Sequence, residues 1–238
     1  MKKQLRHDFQ KWIVQKRYWM ILGGVLLFSL GYAVYLVQKG LPGMVVMELG
    51  LSQLRPLYWL LCCFMIGDVI SSDYHYKTMK TTIPSSSTRT AYLISKSVTS
   101  VVICLLLLFA HMTSSFIVVY MFSPQIEWGL LGELFASAAI GAFITVIFLV
   151  GLITLCMILT ENEAATIGFS MGTIFIMLVL ESLKQLAIYI PTMQMITLSS
   201  TLHSSLTTGM TIIGALLLSG ILFIWSSISI FRSKDLFI

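Results

Sequence analysis

The sequence LFASAAIGAFITVIFLVGLITLCMIL, from Leu134 to Leu159, contains no charged side chain. Crossing the ~30 Å hydrocarbon core of a bilayer takes about 20 apolar residues in a helix, and this block exceeds that length. The rest of the chain has a similar character, because 57% of its 238 residues are hydrophobic and 11% are charged. A water-soluble domain of this size would lack the polar surface needed to cover itself.

Further apolar blocks repeat this signal along the chain. Four strong ones are Met20 to Val37, Val98 to Phe122, Ala164 to Leu180 and Leu206 to Phe231. A weaker block, from Pro56 to Ile70, is short and carries Asp68 near one end. Because this block is needed to bring both chain ends to one side, we include it. The sequence therefore predicts an all-α integral membrane protein with six transmembrane helices.

The basic residues predict how these helices are oriented. Most of the 15 lysines and arginines lie in residues 1–18, in the segment from Ser71 to Ser97 and in the tail after Phe231. Six spans place these segments on one face, and the positive-inside rule makes that face cytoplasmic. We therefore expect both termini in the cytoplasm and a multi-pass protein of the cell membrane, in bacteria the cytoplasmic membrane. The net charge of +5 is then a topology signal and does not indicate nucleic-acid binding.

The first residues have a pattern of their own. Leu5, Phe9, Trp12 and Ile13 recur at helical spacing among basic residues. Such a pattern is typical of an amphipathic helix lying on an anionic membrane surface. We divide the chain into this cytoplasmic surface helix at residues 1–18 and a transmembrane domain at residues 19–238.

Metal and disulfide chemistry find little support in the sequence. The four cysteines lie inside predicted spans and show no CxxC spacing: Cys62, Cys63, Cys104 and Cys156. Neither a disulfide framework nor a zinc site is expected, and we assign no metal ligands. His111 is an ionisable residue at membrane depth, so a functional role stands beside the simpler role of a packed, satisfied histidine.

One motif suggests hydrolase chemistry. The sequence from Gly168 to Gly172 fits G-x-S-x-G with Ser170 in the middle, but a nucleophile elbow needs a strand, a turn and a helix. Here the motif lies in an apolar helical block, where small residues four apart favour close helix packing. Two such pairs are Gly168 with Gly172 and Ser137 with Gly141. An intramembrane serine hydrolase with His203 as its base remains an alternative.

The segment from Ser71 to Ser97 contains DYHYKTMKTTIPSSSTRTAYLISK, from Asp73 to Lys96. It is too long for a tight turn and lacks the composition of a flexible linker, so we expect it to present structure. Residues 77–83 can form about two helical turns, and Ser85 to Thr88 can cap a helix that begins near Arg89. A solvated connector is the alternative reading.

This loop resembles the first cytoplasmic loop of type-2 ABC exporter permeases. In that family an acidic residue closes the second span, a threonine follows, and an arginine and a lysine lead into the third span. Asp73, Thr78, Arg89 and Lys96 match those positions, although Asp replaces the usual Glu and Lys77 stands where Gly is common. The resemblance continues in the order of a basic surface helix, six spans, an apolar stretch before the last span and a short basic tail.

The resemblance implies that the loop is a coupling helix docked on a separate ATP-binding subunit. That subunit would bind ATP and Mg, since this sequence has no GxxxxGK[ST] loop and is expected to carry no cofactor or catalytic residue of its own. The candidate coupling residues are Asp73, Lys77, Thr78, Met79, Lys80, Arg89 and Lys96, with Glu161, Asn162 and Glu163 in the second cytoplasmic turn.

The segment at residues 183–205 is apolar or hydroxyl-rich and is broken by Pro191. It is too apolar for a free loop. We predict a re-entrant pair of short helices on the outer face, tolerated where protein satisfies the backbone. Glu181 and Lys184 lie three apart at its entrance and can pair on one helix face, as an outer gate or as an interfacial anchor.

These features predict a transport subunit rather than an enzyme. The permease would work as a dimer with a second permease chain, identical or different, and with the ATP-binding subunit. Few charges in the spans favour an amphipathic or hydrophobic cargo, such as a peptide, a bacteriocin or an antibiotic. An ion-coupled secondary transporter is the main alternative, although paired intramembrane carboxylates and an internal repeat are not evident.

Overall fold

The protein is described by a computed structural model that covers residues 2–75, 88–122, 128–183 and 185–233. These ranges contain α-helices and short 3-10 turns and no strand. The α-helices are α1 (Lys2–Val14), α2 (Lys16–Gln38), α3 (Gly43–His75), α4 (Arg89–Phe122), α5 (Trp128–Thr160), α6 (Glu163–Glu181), α7 (Gln194–Ser204) and α8 (Leu206–Ser233).

Six of the helices in the described part of the chain are long and apolar enough to cross a membrane: α2, α3, α4, α5, α6 and α8. This confirms the predicted number of spans and the all-α membrane class. Helices satisfy their own backbone hydrogen bonds, which is why long apolar segments can enter hydrocarbon in this form. The orientation of the bundle and the location of α1 on a membrane surface stay predictions.

The spans form a central layer and an outer layer. In the most apolar windows of α3 and α5, 67% of the residues are buried, whereas the corresponding share is 17% in α2 and in α6. The outer helices expose large apolar side chains such as Leu27, Phe175 and Trp225. In water this surface would be strongly unfavourable, but against lipid it carries no penalty.

The second span is longer than the sequence predicted. It begins at Gly43 instead of Pro56, so most of the chain between the first two predicted spans is helical and Pro56 lies inside α3. The predicted start of this span was wrong because hydropathy scores how well side chains suit lipid. This helix is mostly enclosed by protein, where polar side chains can find partners. A charged residue such as Arg55 can lie in an enclosed helix when a neighbouring helix supplies its partner.

The predicted loop from Ser71 to Ser97 is also shorter than expected. Helix α3 continues to His75, and α4 begins at Arg89, where the Thr88 hydroxyl accepts a hydrogen bond from the Ala91 amide at 3.1 Å. This confirms the predicted helix start and its cap, which satisfies an amide that the first helical turn cannot satisfy itself. The coupling helix predicted at residues 77–83 lies outside the described residues.

Between α6 and α8 the chain makes two 3-10 turns, Ala187–Tyr189 and Pro191–Met193, before α7. Protein groups satisfy this irregular backbone. The Thr145 hydroxyl of α5 donates to the Pro191 carbonyl at 2.5 Å, and the Gln194 amide donates to the Ile188 carbonyl at 2.7 Å. The segment therefore has the chemistry that re-entrant backbone requires, while its depth in a bilayer stays a prediction.

Glycines show where helices approach closely. A Cβ at Gly141 would overlap the backbone of Gln194, which agrees with the small residue predicted there. The prediction for Gly168 and Gly172 was wrong within this chain, since a Cβ at either would meet no atom within 4 Å. Their spacing is compatible with packing, but in this fold they face open space because α6 lies in the outer layer.

We call the end of the bundle that holds Lys16, Arg89 and Arg232 the basic end. The end that holds Gln38 and Leu206 is the opposite end. By the positive-inside rule, the basic end is the one predicted to face the cytoplasm.

Candidate functional site

Among the side chains of α3 that the structure describes, two charged ones lie inside the protein, one toward each end of the helix. Arg55 is 8% exposed and Asp68 is 3% exposed. The helical rise places them about 20 Å apart along the axis, with Arg55 toward the opposite end. Charges removed from water are unfavourable unless they are paired and hydrogen-bonded. The partners of Arg55 and Asp68 therefore show which other helices are bound to α3.

Arg55 pairs with Glu181 at the C-terminal end of α6. The guanidinium Nη2 lies 2.5 Å from the carboxylate Oε2, and both side chains are at most 10% exposed. The Thr192 hydroxyl donates to the other carboxylate oxygen of Glu181 at 2.5 Å, and Arg55 also contacts the Met193 sulfur. This cluster, which we call the opposite-end cluster, joins α3 and α6 to the Pro191–Met193 turn.

The opposite-end cluster is extended by Trp59, one turn further along α3. Its indole nitrogen donates to the Thr192 carbonyl at 3.1 Å, and the ring is fully buried. The Nε of Arg55 is buried and has no hydrogen-bond partner among the described residues. Buried donors are nearly always satisfied in folded proteins, so this unpaired donor marks a place where the arrangement is less than fully stabilised.

The structure therefore gives Glu181 a partner that the sequence did not suggest. The predicted partner, Lys184, lies outside the described residues. The sequence does not single out Arg55, because the second predicted span begins at Pro56 and leaves Arg55 just outside it. A detectable signal was present, since an arginine four residues before a tryptophan falls on one helix face and needs a buried partner if that face is enclosed.

At the basic end, Asp68 holds the start of α2. The Arg17 Nη1 lies 2.8 Å from one Asp68 oxygen, and the Tyr18 hydroxyl donates to the other. Arg17 remains 37% exposed, whereas the carboxylate is 5% exposed. A carboxylate with both oxygens engaged in this way is strongly oriented.

Asp8 makes a second buried contact at the basic end. It lies 3.5 Å from the Lys96 ammonium and accepts a hydrogen bond from the Ser95 hydroxyl at 2.5 Å. The Asp8 and Lys96 side chains are 3% and 4% exposed. The contact attaches α1 to α4.

Arg89 binds the end of another helix. Its Nη1 donates to the carbonyls of Phe231 and Arg232, at 3.4 and 3.3 Å, where the last turn of α8 leaves carbonyls without intrahelical partners. Arg89 therefore joins the first turn of α4 to the C-terminal end of α8 at the basic end.

The remaining candidate coupling residues are not brought together in the described structure. Asn162 caps α6 by accepting a hydrogen bond from the Ala165 amide at 3.1 Å, and Glu161 beside it is exposed. Glu163 opens α6, where an acidic side chain interacts favourably with the helix dipole. The side chains of Asp73, Lys77, Thr78, Met79 and Lys80 lie outside the described residues.

The geometry does not support hydrolase chemistry. The Ser170 hydroxyl donates to the Thr166 carbonyl in its own helix at 2.6 Å, and Ser170 is 1% exposed. His203, the proposed base, instead bonds Glu133 at the opposite end of the bundle. No group of three or more potential metal-binding side chains occurs within the described ranges.

The chain matches no family model and no curated protein sequence. Its function therefore has to be argued from the placement and chemistry of its own side chains.

Proposed function

We propose that this chain is the transmembrane permease subunit of an ATP-driven exporter of the ABC type. It would work with a second permease chain and with a separate ATP-binding subunit, and it would move amphipathic or hydrophobic molecules out of the cell. The observation that carries the proposal is that α3 is held toward each of its ends by an ion pair that includes a buried side chain of α3. Arg55 binds Glu181 at one end, and Asp68 binds Arg17 at the other.

Such pairs suit a protein that changes between two arrangements. A transporter has to close its pathway at one end while the other end opens, which requires contacts that are either formed or broken. Apolar helix contacts in lipid can slide gradually, whereas a buried charge without its partner is strongly unfavourable. Because both pairs include a side chain of α3, a rigid shift of this helix would act on both ends together.

The ion pairs also favour ATP as the energy source over an ion gradient. A proton- or sodium-coupled carrier needs an acidic side chain that can take up the coupling ion. Asp68 and Glu181 are each already engaged by an arginine and by a hydroxyl. ATP is hydrolysed in the cytoplasm, so its energy would enter at the basic end, which is the end predicted to face the cytoplasm.

A route for that energy follows from the chain path. Helix α3 ends at His75 and α4 begins at Arg89, so both lead directly into the segment that resembles a coupling helix. A displacement of that segment would pull on α3 and α4, which pack against each other along the centre of the bundle. This connection supports the assignment of residues 77–83 as the contact with an ATP-binding subunit.

The proposal is tested by placing charge in the predicted contact. We would replace both Thr78 and Met79 with Asp, and use Ser233→Asp as a matched control at the basic end. Membrane insertion should be unchanged in both variants, because it depends on the spans and on the flanking basic charge. The double variant should lose co-purification with the ATP-binding subunit and cargo-stimulated ATP hydrolysis in nanodiscs, since unpaired charge in a desolvated contact costs a few kcal/mol.

The control variant should retain complex yield and stimulation. If the Thr78 and Met79 double variant also retains both, the segment is a simple connector and the exporter proposal loses its main support.

A further inference from the structure

A cavity of about 220 Å³ lies between α2, α3 and α4 and is not used by the ion pairs. It extends over residues 21–29 of α2, a distance of about 12 Å along the helix axis and well inside the span. Its lining is mainly aliphatic. On one side it is bordered by exposed residues of the outer layer, with Phe28 55% and Leu57 46% exposed. The cavity therefore opens toward the surface that would face hydrocarbon.

The inner wall of the cavity is polar. The Ser29 hydroxyl and the His111 Nδ1 are 2.7 Å apart and form a hydrogen bond between α2 and α4. Tyr58 of α3 stacks against the histidine ring with centroids 6.4 Å apart, and its hydroxyl donates to the Cys104 carbonyl at 2.5 Å. These three side chains are almost completely buried and all line the cavity.

The Ser29 hydroxyl has capacity beyond its bond to His111. A hydroxyl offers one donor and two acceptor positions, and one hydrogen bond to the imidazole uses one of these in either tautomer. A molecule that reached the inner wall could therefore form a hydrogen bond to Ser29. The remainder of the same molecule would lie against the aliphatic lining.

We propose that this cavity binds a single aliphatic chain that ends in a hydroxyl or amide group and that enters sideways from the bilayer. An engineered apolar cavity of roughly 150 Å³ holds a benzene molecule, so this one takes part of one chain. Both chains of a membrane phospholipid would exceed its volume. The inference rests on the proposed export function, because it names the site where amphipathic cargo is first held.

The test uses a long-chain aliphatic alcohol with a mid-chain diazirine, photolysed with the purified chain in nanodiscs. Peptide mapping should place the label on residues 21–29 and 54–61. The parent alcohol without the diazirine should compete for labelling. The alkane of the same length should compete roughly tenfold less well, because it lacks the hydrogen bond to Ser29. In Ser29→Ala this preference for the alcohol should disappear.

Filling the cavity should remove labelling. Gly24 lines the cavity, and a Cβ added to it would meet no atom within 4 Å. The side chain of Gly24→Leu can therefore extend into the open volume. We expect at least a fivefold loss of label in this variant and in Val25→Phe, which provides a second test if one variant folds poorly. Gly31→Leu is the matched control, since Gly31 also has open space but does not line the cavity.

Undiminished labelling in both folded cavity variants would overturn the inference, and so would equal labelling by a diazirine phospholipid. The assay needs neither ATP nor the ATP-binding subunit, so its result is independent of the test of the exporter proposal. Normal cargo-stimulated hydrolysis without any labelling of the cavity would contradict this inference alone. Labelling of the cavity in a chain that fails to assemble with an ATP-binding subunit would support the binding site and contradict the exporter proposal.

Discussion

Arg55 and Glu181 show how a charged pair can be accommodated inside an apolar bundle. They are 126 residues apart in sequence, and each is supplied by a different span. Thr192 takes the second carboxylate oxygen, so the charge on Glu181 is distributed over two strong hydrogen bonds. Mutual neutralisation permits burial, and it also makes either partner difficult to remove alone.

Glu181→Ala should therefore destabilise the protein by about 3–5 kcal/mol, because it leaves the Arg55 guanidinium buried without a counter-charge. Thermal unfolding in detergent, followed by intrinsic fluorescence, measures this effect. Replacing both Arg55 and Glu181 with Met should cost much less, since no charge is then left unpaired.

Ser182→Ala is the matched control for Glu181→Ala, as its side chain is exposed at the next position. A Glu181→Ala variant that unfolds at the same temperature as this control would show that the pair contributes little. The double Met variant should fold but lose cargo-stimulated hydrolysis if the pair acts in closing the pathway.

Gly141 and Gly172 provide a second comparison at single residues. Leu at position 141 would overlap the backbone of Gln194, whereas Leu at position 172 would extend into open space. We expect Gly141→Leu to destabilise by about 1–3 kcal/mol or more through overpacking, and Gly172→Leu to be tolerated. Expression yield and monodisperse elution in size-exclusion chromatography report how well each variant folds. Equal behaviour of the two variants would contradict this description of helix packing.

Among the elements, α1 is attached to α4 in part through the buried Asp8 carboxylate. Asp8→Ala removes a carboxylate that pairs with the buried Lys96 ammonium and accepts from the Ser95 hydroxyl. Hydrogen bonds to charged groups contribute about 1.5–3 kcal/mol, so the detached form of α1 should become roughly tenfold or more populated.

Limited trypsin digestion measures this detachment, because the peptide bonds after Arg6 and Lys11 are protected while α1 is a docked helix and become cleavable once it detaches and unfolds. The control is Gln10→Ala, which changes an exposed side chain of the same helix. Identical cleavage rates for the Asp8 and Gln10 variants would show that the buried carboxylate does not hold α1.

Helix α3 shows where reasoning from sequence succeeded and where it failed among the elements. The block from Pro56 to Ile70 is predicted as a span, but the residues that precede it in α3, Gly43 to Arg55, are not. An enclosed helix can carry polar residues that a lipid-facing helix cannot, so its hydropathy understates its length. The start of α4 was predicted correctly, since a Thr cap acts on amides within its own first turn.

For the whole molecule, the distribution of basic residues predicts that the basic end is cytoplasmic. Single cysteines test this directly, because Cys62, Cys63, Cys104 and Cys156 are all buried and should react little. A membrane-impermeant thiol reagent should label Gln38→Cys in intact cells and Ser233→Cys after permeabilisation. The unsubstituted chain is the control, and the reverse labelling pattern would require an inverted topology.

The sequence by itself determined the membrane class, the number of spans and the cap of α4. These properties depend on apolar length and on contacts within one helical turn, both of which are local. Tertiary structure alone decided that Glu181 meets Arg55, that Asp8 meets Lys96 and that Ser29 meets His111. Such pairs join different helices, so they follow from how the helices pack and rotate against one another, which no local pattern specifies.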